Sequence, residues 1–163
     1  MPMLDLSIPA RALDAEAEDT LVDEATAILL AAEGADPTDP TARAMAKAFL
    51  HRPEVFVAGS RPDAPHYRII ASVPEGQLNG RERKQQLVAA LTDAVLKAEG
   101  PSGDGDRGRV WVFPLEIPDG HWGAHGHALS LADILTAAIG DQDKARTAAH
   151  RRVTTSRAEK TDN

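Results

Sequence analysis

Residues 8–34 read IPARALDAEAEDTLVDEATAILLAAEG, residues 73–100 read VPEGQLNGRERKQQLVAALTDAVLKAEG, and the second stretch repeats the first. Ile8-Pro9 and Leu13-Asp14 return as Val73-Pro74 and Leu78-Asn79 at an offset of 65. One residue is then inserted. Leu21-Val22, Thr26, Leu30 and Ala32-Glu33-Gly34 return as Leu87-Val88, Thr92, Leu96 and Ala98-Glu99-Gly100 at an offset of 66, and Phe56 returns as Trp122 at the same offset. Two copies do not build a solenoid. The shared Ala-Glu-Gly ending at a shared spacing indicates duplication of one supersecondary unit.

Each copy carries one helix. Leu21, Val22, Ala25, Ile28, Leu29 and Ala32 in the first, and Leu87, Val88, Leu91, Ala94, Val95 and Ala98 in the second, fall on a single face at a 3.6-residue period. Asp14 and Asn79 are suited to the N-caps, Gly34 and Gly100 to the C-termini. A strand precedes each helix, Met3 to Ile8 and Tyr67 to Val73, each followed by a proline. Arg109 to Ile117 (RVWVFPLEI) closes the second copy, with Pro114 indicating an edge or a bulge. In the first copy Ala42 to Leu50 (ARAMAKAFL) has helical propensity, but the repeat assigns it as the closing strand. Glu54 to Gly59 reads as a short strand or hairpin arm, and Pro101 to Gly108 as a loop.

The expected fold is α+β: a duplicated β-α-β unit forming a four-stranded mixed sheet, with two helices on one face and right-handed crossovers. Residues 1–60 form the first unit, residues 66–135 the second with a C-terminal hairpin, and residues 141–163 a polar tail, disordered from Thr154 onward. The other sheet face, expected to bear Leu4, Leu6, Ile69 and Val110, needs a cover, which self-association would supply.

Composition narrows the function. Of 163 residues, 42% are hydrophobic and 26% charged, with no cysteine, so disulfides and thiol chemistry are excluded. A net charge of −7 argues against a nucleic-acid partner. No apolar run spans a bilayer and no signal-peptide pattern opens the chain, which fits a cytoplasmic protein without membrane attachment.

Three features together resemble the tautomerase superfamily over roughly residues 2 to 135. Met1-Pro2 stands directly before a strand, the β-α-β unit is duplicated, and Gly120-His121-Trp122-Gly123-Ala124-His125-Gly126, followed by Leu129-Ser130, is similar to the C-terminal hairpin of 4-oxalocrotonate tautomerase. The fused length and EVFVAG resemble the cis-3-chloroacrylic acid dehalogenase branch. The resemblance implies a homotrimer of fused units, no cofactor, and a catalytic N-terminal proline: Pro2, once Met1 is removed. A secondary amine can serve as general acid and base when burial and neighbouring cations bring its pKa toward neutrality. Tyr67 stands where Pro2 would fall in the second copy, so one such site is expected per chain.

Cations should bind a carboxylate or polarise a carbonyl, and the candidates are Arg11, Arg43 and Arg109. The dehalogenase and decarboxylase branches carry arginines in the turn after the second unit's first strand; here that turn is Pro74-Glu75-Gly76-Gln77. Leu29 occupies the place of the dehalogenase helix histidine, and Trp111 that of the tautomerase's strand arginine. These departures argue against dehalogenation and decarboxylation. Trp122 and His121 are further candidates for substrate binding; Trp122 would either form an apolar wall for Pro2 across a subunit interface or simply pack within that interface. His121, His125 and His127 could in principle hold a metal, but their match to a metal-free hairpin favours no metal. The reading is a tautomerase-like isomerase acting through Pro2 on a small carbonyl or enol substrate. The alternative is a non-catalytic ligand-binding or interaction protein on the same scaffold. A ferredoxin-like regulatory domain would also use duplicated β-α-β units, but would leave Met1-Pro2 and the hairpin unexplained.

Overall fold

Alternation along the strands divides the sheet into an apolar face and a mixed one. In the computed structural model, which describes residues 1–102 and 105–161, the sheet order is β2-β1-β3-β4. β1 (Met3–Ser7) pairs in parallel with β2 (Lys47–His51) and antiparallel with β3 (Tyr67–Pro74), which pairs in parallel with β4 (Val110–Ile117). Leu4, Leu6, Tyr67, Ile69, Ala71, Val73 and Val110 face the helices and are buried. Against them lie Leu21, Ala25 and Leu29 of α1 (Ala15–Ala32), with Leu87, Leu91 and Val95 of α3 (Arg81–Glu99). The expected α+β sheet with two helices on one face is therefore present. Pro114 lies on the edge strand β4, where its missing N–H costs least.

Several expectations need correction. The face that β1 and β3 bury is the one carrying Leu4, Leu6, Ile69 and Val110; the uncovered face carries Phe49, Trp111, Phe113 and Leu115, exposed by 50, 63, 42 and 44%. Ala42 to Leu50 splits into a helix and a strand. Pro40–Met45 forms α2, started by Pro40 and capped by Asp39, and β2 follows from Lys47. Glu54 to Gly59 forms no strand; one isolated bridge joins Val57 to Ser60. Asp14 caps α1 through a 2.8 Å bond from the Ala17 N–H, but Asn79 does not cap α3. Gly80 takes that position, and the Asn79 amide instead donates to the Arg152 carbonyl at 2.9 Å.

That bond leads to the largest correction. The expected tail is a 20-residue helix, α5 (Gln142–Thr161), preceded by α4 (Leu131–Ile139); only residues 162 and 163 of the expected disordered stretch lie outside the described residues. Two of the loop residues, 103 and 104, also lie outside them. Ala145, Ala149, Val153 and Ser156 form a narrow buried stripe on α5, the first three against Leu131 and Leu135 of α4. The approach to the turn after β3 is close. A Cβ on Gly76, whose φ is +88°, would stand 2.8 Å from the Arg152 backbone carbon. Among the described residues no helix is long and apolar enough to cross a membrane.

Glu75, buried in that turn, fastens α5. Lys160 and Arg157 donate to its carboxylate at 2.8 and 3.3 Å, and the Asp119 N–H at 3.1 Å. Burial pushes the Glu75 pKa up, but these donors together outweigh it and hold the carboxyl at about 2. A folded pKa below the unfolded value of 4.5 stabilises at higher pH, and that stability fades as the pH falls from 4.5 toward 2. Glu75→Gln should therefore cost on the order of 2 kcal/mol at pH 7, discounted because both cations are solvent-exposed. Thermal melts should show the gap to wild type narrowing below about pH 4.5, and an unchanged gap would contradict the attribution.

Candidate functional site

The antiparallel register of β1 and β3 sets Met3 opposite Ser72, so the start of β1 lies beside the turn that follows β3. The N–H of Lys47 donates to the Pro2 carbonyl at 3.1 Å, fixing the residue at the rim of the sheet. Pro2 is buried there between two cavities.

The first, of about 540 Å³, opens on the mixed face of the sheet. Met3, Met45, Lys47, Phe49, Ile117, His121 and Trp122 contribute to its walls. The hairpin carrying His121 and Trp122 is β5 (Trp122–Ala124) with β6 (His127–Leu129), joined through His125 and Gly126. Both turn residues have positive φ, 52° and 78°, the requirement of a type I′ connection. The hairpin is held at both ends: the His121 N–H donates to Pro118 O at 2.9 Å, and Asp119 accepts from the Leu131 N–H at 2.7 Å. Trp122 and Pro2 thus line one cavity within a single chain.

The second cavity, of about 270 Å³, lies on the helix side. Glu33, Gln77 and Arg152 supply its polar wall together with Asp36 and Asp39, and Ile134, Leu135, Ala138 and Ile139 of α4 its apolar one. Glu33 ends α1, is 5% exposed, and its Oε1 has no hydrogen-bond partner. The amino nitrogen of Met1 stands 4.0 Å from it. Burial raises the Glu33 pKa to about 7 against the opposing pull of that amine and of Arg152. Burial likewise lowers the pKa of the Met1 amine. At this separation the two groups are better described as tending toward a neutral pair than as a firm salt bridge.

Of the expected cations, none lines either cavity. Arg11 lies exposed in the loop after β1 with φ of 69°. Arg43 is on α2, not on a strand, and donates to Asp23 and to the Pro37 carbonyl. Arg109 is 4% exposed and makes a two-pronged bond to Glu99, both contacts 2.8 Å, at the far end of the sheet. Lys47 and Arg152 are the cations that the cavities do hold, and sequence reasoning missed both. Lys47 could have been found from the register of β2 against β1, which sets it opposite Met3. Arg152 could not, since it sits in the presumed tail. His121 and His125 line the first cavity and His127 faces outward; among the described residues no group of three potential metal ligands forms.

The sequence matches no family model and no curated protein. Solved structures do match. A member of the cis-3-chloroacrylic acid dehalogenase family, N1, is 19% identical over 91% of this chain and 99% of its own, with a TM-score of 0.66. A fused 4-OT wild-type symmetric trimer, Q0, is 23% identical over 81% and 98% of the two chains, TM-score 0.63. Pt0534 inactivated by 2-oxo-3-pentynoate is 21% identical over 85% and 99%, TM-score 0.63. The chain shares the fold of these proteins, the fold that its resemblance to the tautomerase superfamily implies.

Glu33 and its repeat counterpart Glu99 should respond oppositely to amidation. The Glu33 pKa is raised from 4.5 to about 7, so its stability contribution is intact at low pH and declines as pH rises across that interval. Glu33→Gln should therefore be neutral at pH 4 and stabilising by about 1–3 kcal/mol at pH 8. Glu99→Gln, which deprives the buried Arg109 of a charged partner, should destabilise by about 3 kcal/mol. Chemical denaturation at the two pH values tests this, and a destabilised Glu33→Gln at pH 8 would contradict it.

Proposed function

We propose that this chain, after loss of Met1, uses the secondary amine of Pro2 as a general acid and base on a small carbonyl or enol compound, most simply in keto–enol tautomerisation. The observation that carries the reading is the burial of Pro2 at the junction of two cavities. An amine placed there is stripped of water, and water loss disfavours its ammonium form. Retained Met1 would make Pro2 a tertiary amide with no basic nitrogen, and the Met1 side chain would stand in both cavities. The larger cavity is mainly apolar, with Lys47 as its charged group, which suits a small carbonyl acid with an apolar body. Lys47 takes the anion-binding role first assigned to Arg11 or Arg43.

Three outcomes are expected. Intact mass should show a chain lacking Met1. Pro2→Ala, tested as enol-to-keto conversion of phenylenolpyruvate by ultraviolet absorbance, should lose at least tenfold in rate, equal to about 1.4 kcal/mol, while remaining folded. Lys47→Ala should raise KM about tenfold for that anionic substrate, and Arg43→Ala should not. A wild-type protein with no rate above buffer would refute the reading. The acetylenic ketone 2-oxo-3-pentynoate, which inactivates one protein of the same fold, accepts conjugate addition from a neutral amine; incubation should add its mass to Pro2, and an adduct elsewhere would point to another nucleophile.

The uncovered sheet face supports homotrimer assembly, in line with a fold relative solved as a trimer. Phe49, Trp111, Phe113 and Leu115 would be removed from water by it. Sedimentation at micromolar concentration should give a trimer, and a stable monomer would exclude it.

A further inference from the structure

The two copies of the repeat treat one carboxylate in opposite ways. In the second copy Glu99 ends α3 and is fully engaged: Arg109 grips both oxygens and the Tyr67 hydroxyl donates at 2.8 Å. Glu33 holds the same place in the first copy. Its two counterparts have changed. Arg43, which matches Arg109, turns away to Asp23 and Pro37, and Pro2, which matches Tyr67, has no hydroxyl. The Glu33 side chain is left as buried as that of its twin, with no hydrogen bond to Oε1, on the wall of a cavity that Pro2 also lines. An unpartnered buried carboxyl is costly, and the fold had a ready way to satisfy it.

We propose that Glu33 is a second acid–base group of this site, acting across Pro2 from the helix-side cavity on the oxygen-bound proton of a substrate whose apolar body lies in the larger cavity, while Pro2 handles the carbon-bound one. The inference rests on the proposed role of Pro2. In the enol-to-keto direction, the Glu33 carboxylate takes the enol O–H proton and the O–H electron pair becomes the carbonyl π bond. The C=C pair then takes a proton from the Pro2 ammonium. The products are the ketone, a neutral Pro2 amine and a protonated Glu33; transfer of that proton back to Pro2, directly or through solvent, restores the starting state. No oxidant or co-reactant is needed.

The surroundings suit that task. With Met1 in place the chain's amino terminus stands 4.0 Å from Glu33; Arg152 of α5 lines the same cavity, and the Arg83 guanidinium of α3 donates to the neighbouring Ala32 O at 3.4 Å. Asp36 and Asp39 face it from the loop that follows α1, and α4 contributes only apolar side chains to the cavity. With Met1 in place burial raises the carboxyl to about 7, the range in which such a group both takes and gives a proton at neutral pH.

The test is a kcat and KM series on phenylenolpyruvate across pH 5 to 9 with wild type, Glu33→Gln, Glu33→Asp and Pro2→Ala, each checked for fold by thermal melt. Glu33→Gln is expected to lower kcat at least tenfold with KM changed less than threefold, and to remove the acidic limb of the profile while the alkaline limb remains. Glu33→Asp should restore part of kcat and the acidic limb. Glu33→Gln with wild-type kcat and profile, beside a Pro2→Ala that has lost its rate, overturns this inference alone. Pro2→Ala as active as wild type, or an inactive wild type, overturns the Pro2 reading and this inference with it.

Discussion

The antiparallel pairing of β1 with β3 is the constraint on which the site depends. The β-α-β units could join in other ways, but this pairing runs the two first strands in opposite senses. The beginning of β1 is thereby set against the end of β3, so the N-terminus, the Pro74–Gln77 turn and the end of α1 converge on one rim. The order β2-β1-β3-β4 keeps β1 and β3 central and covered by both helices, so their register is fixed by burial on one face. A slip of one residue would expose Leu4 and Leu6 and move Pro2 to the other side of the sheet.

On that rim the C-terminal hairpin of helices does what the turn does not. Pro74-Glu75-Gly76-Gln77 carries no cation, but α5 crosses it closely enough that Gly76 is required, and brings Arg152 against Gln77 and toward Glu33. Glu75 in turn anchors the helix through Lys160 and Arg157. The missing arginines of the turn are thus accompanied by a cation from elsewhere in the chain, in a cavity that α4 helps to close.

The parts of the fold set by periodicity and repetition were legible in the sequence: both long helices and three of the four main strands; the hairpin around His125-Gly126 was legible only through a resemblance. Pro2, His121 and Trp122 were legible as neighbours only through a resemblance. The helix at α2 was visible in the propensity of Ala42 to Met45, and the repeat overrode it wrongly. The stripe Ala145, Ala149, Val153, Ser156 carried a helical period, but small residues among many charges bury little area and give a weak signal. Glu33 was masked by its own repeat: Ala-Glu-Gly reads as a helix end in both copies, and only three-dimensional neighbours distinguish a satisfied Glu99 from an unpartnered Glu33.

The central claim is that Pro2 carries the reacting proton, and the direct measurement is an NMR titration of protein labelled with ¹⁵N-proline. The account predicts a terminal proline nitrogen that titrates near neutrality, with its midpoint altered in Glu33→Gln. A proline nitrogen that shows no titration because Met1 is retained, or one that titrates at the value of an amine in water, would contradict it.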